Sequence, residues 1–122
     1  MIGYTTLGAN DFEKSAKFYD ALFEVCGASR IMELDSFIVW GISPEGSSLA
    51  LAKPYNGEPA TVGNGVMVAI RAGTTDQVDA IYKKALELGG ADEGAPGQRG
   101  DGFYAGYFRD LEGNKLNAYF LG

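Results

Sequence analysis

The stretch YAGYFRDLEGNKLNAYF, residues 104–120, carries the most information in the chain. It reads as the body of two strands, 103–109 and 115–121. Aromatic and apolar residues fill both, and a turn rich in Asp, Gly and Asn at 110–114 separates them. The turn has a counterpart upstream. PEGSSLAL (44–51) and LEGNKLNA (111–118) share Glu-Gly followed by a strand whose second residue is leucine. A period of about 60 residues, longer than solenoid repeats and present in two copies, points to a pseudo-symmetric pair of modules rather than an array.

Working outward, both halves follow one order. In the first, residues 2–7 form a strand, and Asn10 or Asp11 supplies an N-cap. Phe12, Ala16, Tyr19, Leu22 and Phe23 then recur at helical spacing until Gly27. Strands are expected at 30–34, 36–41 and 48–52, the last two joined by the turn SPEG (43–46). KPYNGEPATVGNG (53–65) has no periodicity and reads as a linker. In the second half, 66–72 is a strand and Thr74 or Thr75 caps a helix. Val78, Ile81, Tyr82, Ala85 and Leu86 share one face of that helix, which the pair Gly89–Gly90 ends. ADEGAPGQRGDG (91–102) reads as a loop leading to the strand pair already described. The expectation is an α+β chain of two tandem βαβββ modules forming a single domain. Module 1 covers about 1–55, the linker about 53–65 and module 2 about 66–122.

Composition narrows the function classes. Hydrophobic residues make up 46% and charged residues 21% of the 122 positions, a globular balance. The net charge of −6, with ten scattered Lys and Arg, argues against a nucleic-acid partner, which needs a clustered basic footprint. No apolar run approaches the roughly 18–20 residues that span a bilayer, so no membrane partner is expected. MIGYTTLGAND lacks a basic segment followed by an apolar one, so no signal peptide is read and a cytoplasmic location is expected. Cys26 is the only cysteine, read as a small residue near a helix end. There is no histidine. That excludes Ser-His-Asp and Cys-His triads and removes the commonest protein ligand for zinc, nickel or non-haem iron.

Several stretches together resemble the glyoxalase/bleomycin-resistance superfamily, the vicinal oxygen chelate fold. They are GANDFEKSAKFYDALF after the opening strand, the linker, VMVAIRA (66–72), and above all the Phe-Arg-Asp-x-x-Gly-Asn-Lys pattern from Phe108 to Lys115. The resemblance covers nearly the whole chain. It implies two βαβββ modules whose curved mixed sheet wraps a cavity, usually within a homodimer. Metal-dependent members draw ligands from matching strands of the two modules. By the resemblance those positions fall on Tyr4, Met67 and Asn117, with a fourth on Ala50. A phenol, a thioether, a neutral amide and a methyl group supply no charge to offset dehydration of a divalent ion. No metal and no other cofactor is therefore expected.

Strand parity places Met67, Ala69 and Arg71 opposite Val66, Val68 and Ile70. In the same way Asn117 opposes Leu116 and Ala118, and Tyr4 opposes Thr5. Counting back equally from the two matching turns makes Trp40 equivalent to Tyr107. In related antibiotic-resistance members the residue at that position faces the cavity. Trp40 and Tyr107 are thus expected either as opposed walls with Tyr4 and Met67 between them or as aromatics that fill a core. Arg71 is a candidate bidentate anchor for an anion, or the partner of an acidic side chain. Glu33 is either a general base or a solvated carboxylate. The expected function is capture of a small aromatic or amphipathic molecule by Tyr4, Trp40, Met67, Arg71, Tyr107 and Asn117. The alternative is a glyoxalase-type lyase, dioxygenase or thiol transferase with an atypical metal or none.

Overall fold

The computed structural model describes all 122 residues. In chain order these form β1 (Tyr4–Gly8), α1 (Phe12–Glu24), β2 (Ser29–Leu34), β3 (Phe37–Gly41), β4 (Ser48–Ala52), β5 (Val68–Arg71), α2 (Thr75–Glu87), β6 (Ala91–Gly100), β7 (Phe103–Arg109) and β8 (Lys115–Leu121). The order βαβββ occurs twice, in agreement with the sequence reading. The strands make two four-stranded sheets of the same topology, β1-β4-β3-β2 and β5-β8-β7-β6. In each, the first strand runs parallel to the last and the remaining pairs are antiparallel.

Local chemistry accounts for the helices. The Asp11 side chain caps α1 by accepting from the Lys14 backbone N–H at 3.2 Å, and Thr74 caps α2 by accepting from Gln77 N–H at 3.1 Å. Each bond satisfies one of the orphan donors of a first turn. The apolar stripes bury Phe12, Ala16, Tyr19, Leu22 and Phe23 on α1, and Val78, Ile81 and Ala85 on α2.

These stripes meet in one core. Nineteen buried residues, seventeen of them from both helices and both sheets, form a single cluster, and α1 touches α2 directly. Trp40, Leu49 and Leu51 enter it from the first sheet, and Phe108, Leu116 and Ala118 from the second. Both sheets thus turn one face inward onto the helices and the other outward.

The segment 91–102, read as a loop, is largely strand. Residues 91–100 pair with β7 through a ladder interrupted three times by register shifts. Its Gly and Pro content hides the strand, because bulges and an edge position accommodate residues that regular strands exclude.

The turn at 110–114 ties the modules together. Asp110 is buried and accepts from Glu112 N–H, Asn114 N–H and the Asn114 amide at 2.9–3.0 Å. The Tyr19 hydroxyl on α1 donates to the same carboxylate at 2.5 Å. Asn114 also donates across to Gly8 O at 3.1 Å, and Glu112 accepts from the Asp11 N–H at 2.8 Å. Gly113 takes φ +89°, a conformation that favours glycine. The Asp-x-x-Gly-Asn pattern therefore serves the junction between modules, with every polar group of the buried carboxylate satisfied.

Candidate functional site

The outer faces of the two sheets carry most of the positions picked out by the sequence. On the first sheet, Tyr4 is 60% exposed and packs edge-to-face on Phe37, ring centroids 6.0 Å apart. Val39 and Ala50 are buried yet lie outside the helix-facing core, and pair with one another across β3 and β4. Met32 and Leu34, whose register partners are Val39 and Phe37, add exposed apolar side chains. This face carries no charge among these residues.

On the second sheet, Ala69, Asn117 and Tyr107 stand side by side across β5, β8 and β7. Asn117 is 1% exposed, and its Oδ1 has no hydrogen-bond partner. Such orphaned buried acceptors are uncommon. Tyr107 is flanked by two cations: the Arg99 guanidinium lies 5.5 Å and the Lys115 ammonium 5.6 Å from its ring centroid. Arg109 donates to Glu93 at 3.1 Å and to Gly113 O at 3.0 Å. Phe103 and Tyr119 stack at 5.6 Å on the same face. A cleft of about 530 Å³ opens beside it, between residues 62–67 and the side chains of Arg109 and Lys115.

Most of the predicted site residues lie on these faces: Tyr4 on the first sheet, and Met67, Arg71, Tyr107 and Asn117 on the second. Met67 is 41% exposed and lines the 530 Å³ cleft. Arg71 is exposed on β5 and forms no ion pair; the ion pairs of the chain join Arg30 to Asp20 and Glu33, and Arg109 to Glu93. The two faces belong to separate sheets with the core between them, so one chain does not bring Tyr4 beside Met67.

Trp40 is a correction. It is 1% exposed and faces α1, with Tyr19 at 5.7 Å and Phe23 at 6.0 Å between centroids. Its indole N–H donates to Asp20 at 2.8 Å, and Arg30 lies over the ring at 5.7 Å. It is not the opposite wall to Tyr107. The register shows why: Trp40 pairs with Leu49 as Phe108 pairs with Leu116, so Trp40 corresponds to Phe108 and Val39 to Tyr107. The β3–β4 connection spans residues 42–47, one residue longer than the β7–β8 connection at 110–114. Equal counting from the two turns therefore slips by one residue, and a one-residue slip exchanges the faces of a strand.

Glu33 is likewise on the helix side, bonded to Arg30 at 2.8 Å, and is no general base for the outer face. Asp20 accepts two bonds from Arg30 and one from Trp40. The Arg30 bonds, foremost, hold its carboxyl below the ordinary carboxylate range. Trp40 and Phe23 line a second cleft, about 600 Å³, where the modules meet; Cys26, Val68 and Gln77 border it too. Burial pushes the Cys26 thiol up to about 11.

The donor set does not fit a metal. Of the four positions that the resemblance assigns to metal ligands, two on one sheet hold a phenol and a methyl group, and two on the second sheet a thioether and a neutral amide. No cluster of three His, Cys, Asp or Glu side chains is present elsewhere. Sequence reasoning missed Arg99 and Lys115. Lys115 shares the parity of Asn117, so its outward direction was legible; Arg99 lay in the segment read as a loop and carried no signal.

Comparison with known proteins agrees with this architecture. The family model described as Glyoxalase/Bleomycin resistance protein/Dioxygenase superfamily matches residues 1–118. A glyoxalase/bleomycin resistance protein from Albidiferax ferrireducens T118 is similar over 100% of this chain and 99% of its own, at 36% identity and TM-score 0.92. A glyoxalase-related enzyme from Fulvimarina pelagi (23% identity, 98% and 87% covered, TM-score 0.79) and a lactoylglutathione lyase from Agrobacterium tumefaciens (22%, 98% and 92%, TM-score 0.71) share the fold. No match was found among curated proteins.

Proposed function

Because this chain belongs to the Glyoxalase/Bleomycin resistance protein/Dioxygenase superfamily, we propose that it uses the family's outer sheet faces to bind a small aromatic or amphipathic molecule without a metal. One observation carries the reading. The four positions that the resemblance assigns to metal ligands hold Tyr4, Ala50, Met67 and Asn117, and the side chains around them are aromatic, apolar or cationic. An aromatic ring stacked on such a surface gains about 0.5–1.5 kcal/mol beyond its area burial.

The same reading includes a homodimer. β1 pairs only with β4 and β5 only with β8, so each sheet ends in an open edge. The first sheet also leaves Tyr4, Met32 and Leu34 exposed. A second copy that set its second sheet against the first sheet of its partner would cover both and enclose a cavity between an apolar wall and a cationic one.

The test combines elemental analysis of the purified protein with a thermal-shift series in Ni²⁺, Zn²⁺ and Mn²⁺. No stoichiometric metal and no stabilisation are expected. A bound stoichiometric metal would overturn the proposal and restore the lyase or dioxygenase reading. Ligand screening needs a probe other than tryptophan emission, because Trp40 reports on the junction between modules.

A further inference from the structure

The chain carries six more acidic than basic residues, yet strands β5, β7 and β8 contain no Asp or Glu and three cations, Arg71, Arg109 and Lys115. Arg99 of β6 joins them against the Tyr107 ring. Four of the ten basic residues are thus gathered on one sheet. The one carboxylate bonded to any of them is Glu93, which engages Arg109. Arg99 bonds only a backbone carbonyl, Ala95 O at 2.6 Å, and neither Lys115 nor Arg71 has an ion-pair partner.

We propose that the outer face of the second sheet recognises an organic anion, a carboxylate, sulfonate or phosphate joined to an aromatic body. The body stacks on Tyr107 and the anionic group lies between Arg99 and Lys115. This rests on the binding reading above and adds the charge of the ligand to it. Two cations held against one ring surround it with positive charge and hydrogen-bond donors, which suits an anion and repels a cation. The neighbouring 530 Å³ cleft continues the same chemistry: Arg109 and Lys115 line it, with no acidic side chain. An independent observation also points to a ligand here. The Asn117 Oδ1, buried at the centre of the face beside Tyr107, has no partner within the chain, an open acceptor that a hydrogen-bond donor on the ligand's body, not its anionic group, would satisfy.

The experiment titrates the protein with two fluorophores of one aromatic frame, 8-anilinonaphthalene-1-sulfonate and the uncharged N-phenyl-1-naphthylamine. The sulfonate should bind about tenfold more tightly, as expected for one or two charge-assisted contacts. Added salt should weaken the sulfonate and leave the neutral compound unmoved. The double variant R99Q/K115Q should bring the two affinities together. K14Q/K17Q, which removes the same charge from the exposed surface of α1, should leave the wild-type preference intact. Equal affinities in the wild-type protein, or a preference unchanged in R99Q/K115Q, would overturn the anion assignment while leaving the binding reading in place. Failure of both fluorophores to bind would overturn both. The salt arm uses wild-type protein alone, so it decides the matter even if the double variant does not fold.

Discussion

Two side chains show how much a single residue's surroundings decide. Trp40 fills the space between β3 and α1, touches Tyr19 and Phe23, and spends its one polar hydrogen on Asp20. Trp40→Ala should cost about 3–5 kcal/mol in chemical denaturation, since a large cavity forms and the Asp20–Arg30 pair loses its cover. In the intact protein its emission should be blue-shifted and resist acrylamide quenching. Emission typical of solvent-exposed indole would contradict the inward orientation. Cys26, at the same junction, keeps its proton to about 11 because burial disfavours the thiolate. Its folded pKa lies above the unfolded value near 9, so the folded state binds this proton more tightly. The contribution of this thiol to stability is complete below about pH 9 and declines as pH rises through 11. Alkylation by iodoacetamide at pH 8 should be far slower in the folded protein than in urea, as thiolate is the attacking species. Equal rates would show the thiol to be freely ionising.

Among the elements, the β7–β8 turn carries the greatest structural responsibility. Its Asp110 carboxylate collects two backbone amides, the Asn114 amide and the Tyr19 hydroxyl. Burial, with Asp110 beside it, raises the Tyr19 hydroxyl well above the ordinary tyrosine range, which favours the protonated donor. Asp110→Ala leaves those donors buried without an acceptor and should destabilise the protein by about 3–5 kcal/mol, measured by urea unfolding. A loss below about 1 kcal/mol would mean that water or another carboxylate takes over. The upstream counterpart, PEGSSLAL, has proline where the second turn has leucine and serine where it has asparagine. Ser47 bonds Ile2 O at 2.8 Å, a bond within module 1, so only the downstream turn fastens one module to the other.

For the molecule as a whole, the shared core decides which surfaces are free to act. With both helices between the sheets, the outer faces lie on either side of one chain, and an enclosed cavity requires a second copy. Sedimentation velocity should show a dimer at tens of micromolar, dissociating on dilution. A monomer at every concentration would confine ligand binding to the separate open faces. The surface potential should be asymmetric as well, since the second sheet gathers cations in an otherwise acidic protein. No helix is long and apolar enough to cross a membrane.

The sequence by itself determined the two helices with their caps, seven of the eight strands, the doubled order and the alternation that sends Asn117 outward and Leu116 inward. These follow from periods of 3.6 and 2, which are local properties of the chain. It also determined the residue types at the four positions that the resemblance assigns to metal ligands, since donor chemistry is a property of residue type. Tertiary structure alone decided the rest. β6 exists because β7 offers it a ladder, despite a composition of glycines and proline that no local pattern reads as strand. Trp40 faces α1 because the turn after it is one residue longer than its counterpart, a difference that only the pairing register exposes. Arg99 reaches Tyr107 only through that bulged ladder, and the distance between Tyr4 and Met67 is set by a core that places both helices between the sheets. Each of these depends on which distant segments pair or pack, a choice made by the whole chain at once.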